Sequence, residues 1–211
     1  PYIVLLAAAS RISGLPLKWT EDRLEHLMAS SSAADRADEL EAAFASDGTL
    51  LGLRFKNCVN VGAYVRAPEP ASVYRMHAAS NGCYAVKNIS IQNKLVSTNK
   101  MPVGLNRGYG GPQFYYGLER MMDLTARKLN IDTAEIRRKN FIPEDQFPYH
   151  APAGAIYDSG NYSEALDLLL KLSNYENIKR RRKQARAAGK LFGIGMGAGV
   201  EPSGSNMAYV T

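Results

Sequence analysis

The residues best placed to do chemistry lie in one stretch, 101–113, which reads MPVGLNRGYGGPQ. Gly104, Gly108, Gly110 and Gly111 fall within eight positions, with Asn106, Arg107 and Tyr109 between them. Glycine reaches backbone conformations closed to other residues and lets the main chain approach a ligand closely. A helical pattern follows at once, in which Leu118, Met121, Met122, Thr125 and Leu129 recur at the spacing of one buried face. A glycine turn that opens onto a helix start points unused N–H groups outward, toward an anion or a cofactor oxygen. The spacing is neither GxxxxGKS/T nor GxGxxG, so no nucleotide site follows, and a tight strand-to-helix turn accounts for the same residues.

Other chemistry is sparse. Residues 179–183 read KRRRK. A nucleic-acid surface needs such charges on one face, with aromatic or base-reading groups beside them. Arg180, Arg182, Lys183 and Arg186 instead wrap around a helix, as a solvated face does, and no nucleic-acid partner is expected. His26, His77 and His150 are far apart and have no clustered Cys or acids, so no metal site built from side chains is expected. There is no GxSxG elbow and no Cys–His signature, and Cys58 and Cys83 read as free thiols of a reducing compartment. The residue types in hand make no complete catalytic set.

The elements around the loop are legible from periodicity. Residues 1–13 form an apolar run that reads as a buried helix stopped by Gly14 and Pro16, followed by a short strand over 17–20 and a charged helical segment over 21–28. Residues 37–45 and 50–64 alternate as two antiparallel strands about the Ser46-Asp47-Gly48 turn, and 84–98 carries a further alternating run. Helices are expected over 114–129, 133–140 (capped by Asp132 or Thr133), 161–172 and 175–188, with an extended connection over 141–160. Gly189 suits the position just past the last helix, and 207–211 reads as a strand.

At 211 residues, 45% hydrophobic and 22% charged, the chain suits one large or two small globular domains. Much of its net charge of +6 sits in the KRRRK run, and no apolar stretch approaches the roughly 20 residues that span a bilayer, so no membrane partner is expected.

Read together, the segments carry more. MPVGLNRGYGGPQ, then LERMMDLTARKLNID, AEIRRKNFIPEDQFPY and YDSGNYSEALD, resemble the molybdenum-binding large subunit of the xanthine dehydrogenase and aldehyde oxidase family. GLPLKWTEDRLEHLMAS and DGTLLGLRFKNCVNVGAYV before them, and FGIGMGAGVEPSG after, fit the same family in the same order. The resemblance implies an α+β fold, with a partial molybdopterin-binding domain over 1–190 and the start of a further strand region over 191–211. It implies a cytoplasmic oxidoreductase that hydroxylates an aromatic N-heterocycle or an aldehyde with oxygen from water. Hydride then passes to a Mo=S group and electrons to 2Fe–2S clusters and FAD on partner subunits or domains. The cofactor implied is Mo-molybdopterin, in its cytosine dinucleotide form in a bacterial source, within a dimer of heterotrimers that includes the remainder of the large subunit.

Matched residue by residue, the family's RGFGGPQ loop implies cofactor contacts from Asn106, Arg107 and Gly108 and a substrate-stacking role for Tyr109. Counting back without a gap through Cys83-Tyr84 places Arg75 on a substrate-holding arginine, and Ser205 or Asn206 falls near another substrate-pocket position. Gly108 stands where carbon monoxide dehydrogenases carry a copper-binding cysteine, which disfavours CO oxidation. The family's GGFGGK segment and base glutamate have no counterpart, and Glu201 is not at the glutamate's place. The chain is therefore expected to be a piece of a longer one, inactive alone and without a catalytic residue of its own. A non-catalytic binding or scaffold module that keeps the fold is the alternative.

Overall fold

The hairpin read from the 37–45 and 50–64 alternation forms the centre of the chain. The computed structural model describes residues 2–33, 35–65, 76–104, 106–108 and 110–201. β1 (Asp35–Phe44) pairs antiparallel with β2 (Leu50–Gly62), and β3 (Asn88–Ser97) joins the other edge of β2 in parallel. The hairpin turn is made by Gly48, at φ 86°, with Asp47 accepting from the Thr49 N–H at 3.0 Å.

One face of β2 is buried through Leu53, Phe55, Asn57 and Val59. The register sets Ala42, Leu40, Asp38 and Arg36 of β1 beside them, and Ile89, Ile91, Asn93 and Leu95 of β3 on the other side. The face thus runs from apolar rows into a polar row of Asp38, Asn57 and Asn93. Helix α3 (Gly111–Leu129) lies over this face, burying Phe114, Leu118, Met122 and Ala126. Phe114 meets Phe55 at 5.0 Å between ring centroids, and the Arg36 guanidinium lies 5.1 Å over the Phe114 ring. Asn130 closes α3 in the left-handed conformation, as a helix C-terminus commonly does.

Helix α4 (Thr133–Asn140) follows, capped by Asp132 accepting from the Ala134 N–H at 2.8 Å. Its Asn140 accepts from the Leu50 N–H at 2.7 Å and donates to the Gly48 carbonyl at 2.9 Å, which fastens the hairpin turn to the helix layer. A 3-10 turn (Glu144–Gln146) and a small hairpin, β4 (Tyr149–His150) with β5 (Ile156–Tyr157), break up the connection expected to be extended. Helices α5 (Tyr162–Leu172) and α6 (Tyr175–Ala187) complete the layer, and Gly189 follows α6 at φ 68°.

Residues 191–200 then cross the helix layer as an extended strap. Phe192, Ile194, Met196, Ala198 and Val200 turn partly inward, and the glycines between them face out. The strap is held by side chains: Arg137 donates to the Met196 carbonyl at 2.9 Å, Glu119 accepts from the Ala198 N–H at 3.0 Å, and the Tyr115 hydroxyl donates to the Val200 carbonyl.

Two expectations fail at the N-terminal end. Helix α1 (Tyr2–Ser13) buries no residue, with Ile3 84% and Ile12 87% exposed, so its apolar side chains stay at the surface. Residues 17–20 form no strand; no strand among the described residues pairs with them, and Trp19 instead rests against Tyr2 at 4.3 Å. Helix α2 (Arg23–Ala29) is present, opened by an Asp22–Glu25 capping box. The strand read over 207–211 lies outside the described residues.

Candidate functional site

The glycine loop sits where β2, the segment after β3 and the start of α3 converge. Gly62, at φ 79°, ends β2 against the crossing chain, and a Cβ there would lie 2.7 Å from Pro102 Cα. A Cβ on Gly104 would run into Ser31. Both glycines are needed for the close crossing of the chain past the end of β2 and Ser31. Gly108 and Gly110 take φ of 72° and 84°, and the Gly111 N–H donates back to the Gly108 carbonyl at 2.7 Å, which closes a tight turn.

That turn delivers the chain to α3 with Gly110 as its cap residue, which has no side chain to cap the helix, and no acid stands in its first turn. Nearby, Gln113 has a buried Oε1 with no hydrogen-bond partner among the described residues. A helix start opened by glycine attracts anionic oxygens, and an orphaned buried acceptor calls for a donor. The site therefore fits a group that carries both anionic oxygens and N–H donors, as molybdopterin does.

The six site residues read from the sequence divide. Asn106 and Arg107 are exposed, and Gly108 is half-buried at the turn. The Arg107 N–H is engaged by Asn106 Oδ1 at 2.8 Å, so of the three expected backbone donors this one already has a partner. Arg75, Tyr109 and Asn206, and Ser205 with them, lie outside the described residues.

Several residues near the loop were not singled out in the sequence. His77 lies edge-on to Phe114 at 5.7 Å, with Asn93 Nδ2 3.0 Å from its Nε2; Asn57 in turn donates to Asn93 Oδ1 at 2.8 Å. Burial, and then the Arg36 charge, hold the His77 pKa below that of a free imidazole. Glu201 at the end of the strap also reaches this side, since a Cβ on Gly111 would lie 3.7 Å from its Oε2. A carboxylate is favoured at the positive end of a helix dipole.

Behind the loop a polar knot holds α3 in place. Arg137, fully buried, donates to Glu119 at 2.8 Å, to Asp123 at 3.0 Å and to the Thr133 carbonyl at 2.9 Å, besides the strap. Glu119 also accepts from the Tyr84 hydroxyl at 2.5 Å. Burial opposes the Arg137 charge, but Glu119, Tyr84 and Asp123 outweigh it and raise its pKa. Cys83 faces an apolar hollow of about 190 Å³ beneath the strap, beside Phe141, Leu166 and Met196. Burial and the Glu119 charge push its thiol up, so it is no nucleophile at neutral pH. Both cysteines are free thiols, and no group of His, Cys, Asp or Glu among the described residues could hold a metal ion.

Residues 1–141 match the family model of the molybdopterin cofactor-binding domain. The chain belongs to that family. This molybdopterin cofactor-binding domain is 34% identical over 209 residues to the nicotine 6-hydroxylase large subunit of Paenarthrobacter nicotinovorans, covering 98% of this chain and 25% of that protein. It is 36% identical over 203 residues to the carbon monoxide dehydrogenase large chain of Hydrogenophaga pseudoflava, again covering 93% and 25%. Its fold superposes on quinoline 2-oxidoreductase from Pseudomonas putida 86 with a TM-score of 0.81 at 32% identity, covering 88% of this chain and 24% of that one. The chain thus spans about a quarter of the length of the relatives it matches. The mixed helix and sheet architecture is the α+β fold expected from the sequence. No helix among the described residues is long and apolar enough to cross a membrane.

Proposed function

We propose that this domain forms part of the molybdenum-cofactor site of a hydroxylase acting on an aromatic N-heterocycle or an aldehyde. The observation that carries this reading is the glycine loop opening onto the glycine-capped start of α3 beside the orphaned Gln113 Oε1. The molybdenum cofactor, when bound, supplies the redox chemistry that inserts a water-derived oxygen and passes electrons to 2Fe–2S and FAD groups on partners.

The residues of this chain do the holding. The N–H groups of Asn106 and Gly108 and of the first turn of α3 bind anionic oxygens, and Gln113 Oε1 accepts from a ring N–H. Tyr109 stacks on a planar substrate, and Arg75 stabilises negative charge on a heterocycle, with Asn206 completing the pocket. Gly108, with no side chain to hold copper, supports hydroxylation over CO oxidation despite the likeness to carbon monoxide dehydrogenase. The base glutamate, the cytosine dinucleotide form, the cytoplasmic setting and the heterotrimeric assembly belong to the same proposal.

Two variants of the complete, assembled protein test it by separating cofactor from substrate. Gly110→Val places a branched side chain at φ 84° and should abolish molybdenum and pterin content while the complex still assembles. Tyr109→Ala should keep its molybdenum and raise KM for a planar substrate, with kcat/KM falling roughly 2- to 13-fold. Normal molybdenum in Gly110→Val would sink the cofactor reading, and a scaffold module would remain.

A further inference from the structure

A second cleft lies at the opposite end of α3, roughly 25 Å along the helix from the glycine loop. It encloses about 550 Å³ between the last turns of α3, the turn into α4 and the inner side of α6. Arg127 of α3 and Arg182 and Arg186 of α6 all line it. None of these guanidinium groups has a hydrogen bond, an ion pair or an aromatic contact among the described residues.

The carboxylates in the cleft are already committed. Asp123 pairs with Arg137 at 3.0 Å. Asp132 caps α4, accepts from the Tyr175 hydroxyl at 3.2 Å and pairs with Lys179 at 3.3 Å. Neighbouring arginines do have partners: Arg138 meets Asp167 at 2.6 Å, Arg180 donates to Asn177 at 2.8 Å, and Arg181 lies over the Phe192 ring at 5.3 Å. The three cleft arginines differ from these neighbours in facing one shared cleft without a partner among the described residues.

Their placement works against the helix that carries two of them. Arg182 and Arg186 are four residues apart on one face of α6, where like charges repel and lower helix stability. The dipole at a helix C-terminus favours a cation in the last turn, which accounts for Arg127 and Arg186 singly. It accounts neither for Arg182, one turn earlier, nor for the convergence of two helices on one cleft. Arginine is the residue whose planar fork pairs with phosphate oxygens two at a time.

We propose that this cleft binds an oxyanion carrying several negative charges, of the class of pyrophosphate and phosphorylated small molecules. Arg182 and Arg186 grip one side of it and Arg127 the other. The site is independent of the glycine loop and of the cofactor.

The test is calorimetric titration of the complete, assembled protein with inorganic pyrophosphate. One pyrophosphate should bind per chain, more tightly than orthophosphate and more weakly in high salt. Arg182→Gln, Arg186→Gln and Arg127→Gln should each weaken binding about tenfold or more, the loss of one charge-assisted hydrogen bond, while Arg180→Gln leaves it unchanged. Modification of arginines by phenylglyoxal, mapped by mass spectrometry, provides a second readout. Pyrophosphate should protect Arg127, Arg182 and Arg186 together and leave Arg180 reactive. Absence of saturable binding, or binding that survives Arg182→Gln unchanged, would overturn the proposal. So would failure of phenylglyoxal to reach these arginines in the assembled protein, since another polypeptide segment would then cover them.

Discussion

Helix α3 joins two polar regions that are built in opposite ways. At its start, the glycine loop gives the helix a cap residue with no side chain, leaves a buried acceptor unmatched among the described residues and keeps its arginine at the surface. In its middle, Glu119 and Asp123 meet a buried arginine whose donors reach two carboxylates and three carbonyls. Hydrogen-bonding capacity is consumed in the middle of the helix and left open at its start, where the cofactor is proposed to bind. The open end depends on the closed one, because the knot fixes the helix on which the loop is carried.

The largest effect should come from breaking the knot. Arg137→Met leaves Glu119, whose side chain is only 12% exposed, as an unpaired buried charge. Losing one partner of such a pair costs about 3–5 kcal/mol, which lowers Tm by roughly 6–20 °C in a chain of this size. Arg137→Met with Glu119→Leu should recover much of that loss, and thermal melts of both variants check the contrast. A single variant that melts with the wild type would erase the distinction between the two regions.

At the open end the balance should reverse. Gln113→Leu removes an acceptor that has no partner among the described residues, so Tm should hold or rise slightly. Retention of the cofactor in the assembled protein should weaken roughly 2- to 13-fold, the worth of one neutral hydrogen bond of about 0.5–1.5 kcal/mol. Molybdenum content after dilution and dialysis measures it. A fall in Tm with full molybdenum would move Gln113 from the site into the scaffold.

The smallest effect concerns His77, which lies between the two. Its pKa is lowered in the fold, so on acidification the unfolded chain takes up the proton first. Its contribution is therefore complete above the free-imidazole pKa of about 6.5 and is lost as pH falls toward the folded value. Tm should decline between pH 7 and pH 5, and His77→Gln should flatten that decline by less than one proton in slope. An identical pH profile in the variant would show that the decline has another source.

The hairpin and the four later helices were legible because alternation and 3.6-residue spacing state directly which face is buried. The parallel pairing of β3 with β2 was not, since residues 63–87 separate the two strands and nothing in either names its partner. Arg137 was legible in principle and passed over. Thr133, Ile136, Arg137 and Asn140 fall at the spacing of one helix face, and a charge on that face signals a buried ion pair. The apolar residues of α1 carried the opposite fault, for an apolar pattern says that a surface wants cover without saying what covers it. Of the site, the glycines declared the loop. The polar row of Asp38, Asn57 and Asn93 emerged only from strand register.

The strap carries a consequence for how this stretch can change over generations. Its glycines and its inward residues alternate one for one from 192 to 200, and its anchors at Met196, Ala198 and Val200 keep the same step of two. Deleting a single residue would present glycine to the helices and Met196 or Ile194 to the outside, and would misplace the remaining anchors at once. Deleting two neighbouring residues before the anchors would restore both patterns. Length variants among related chains should therefore accumulate here in even numbers, a constraint that side-chain replacements at the outward glycines do not share.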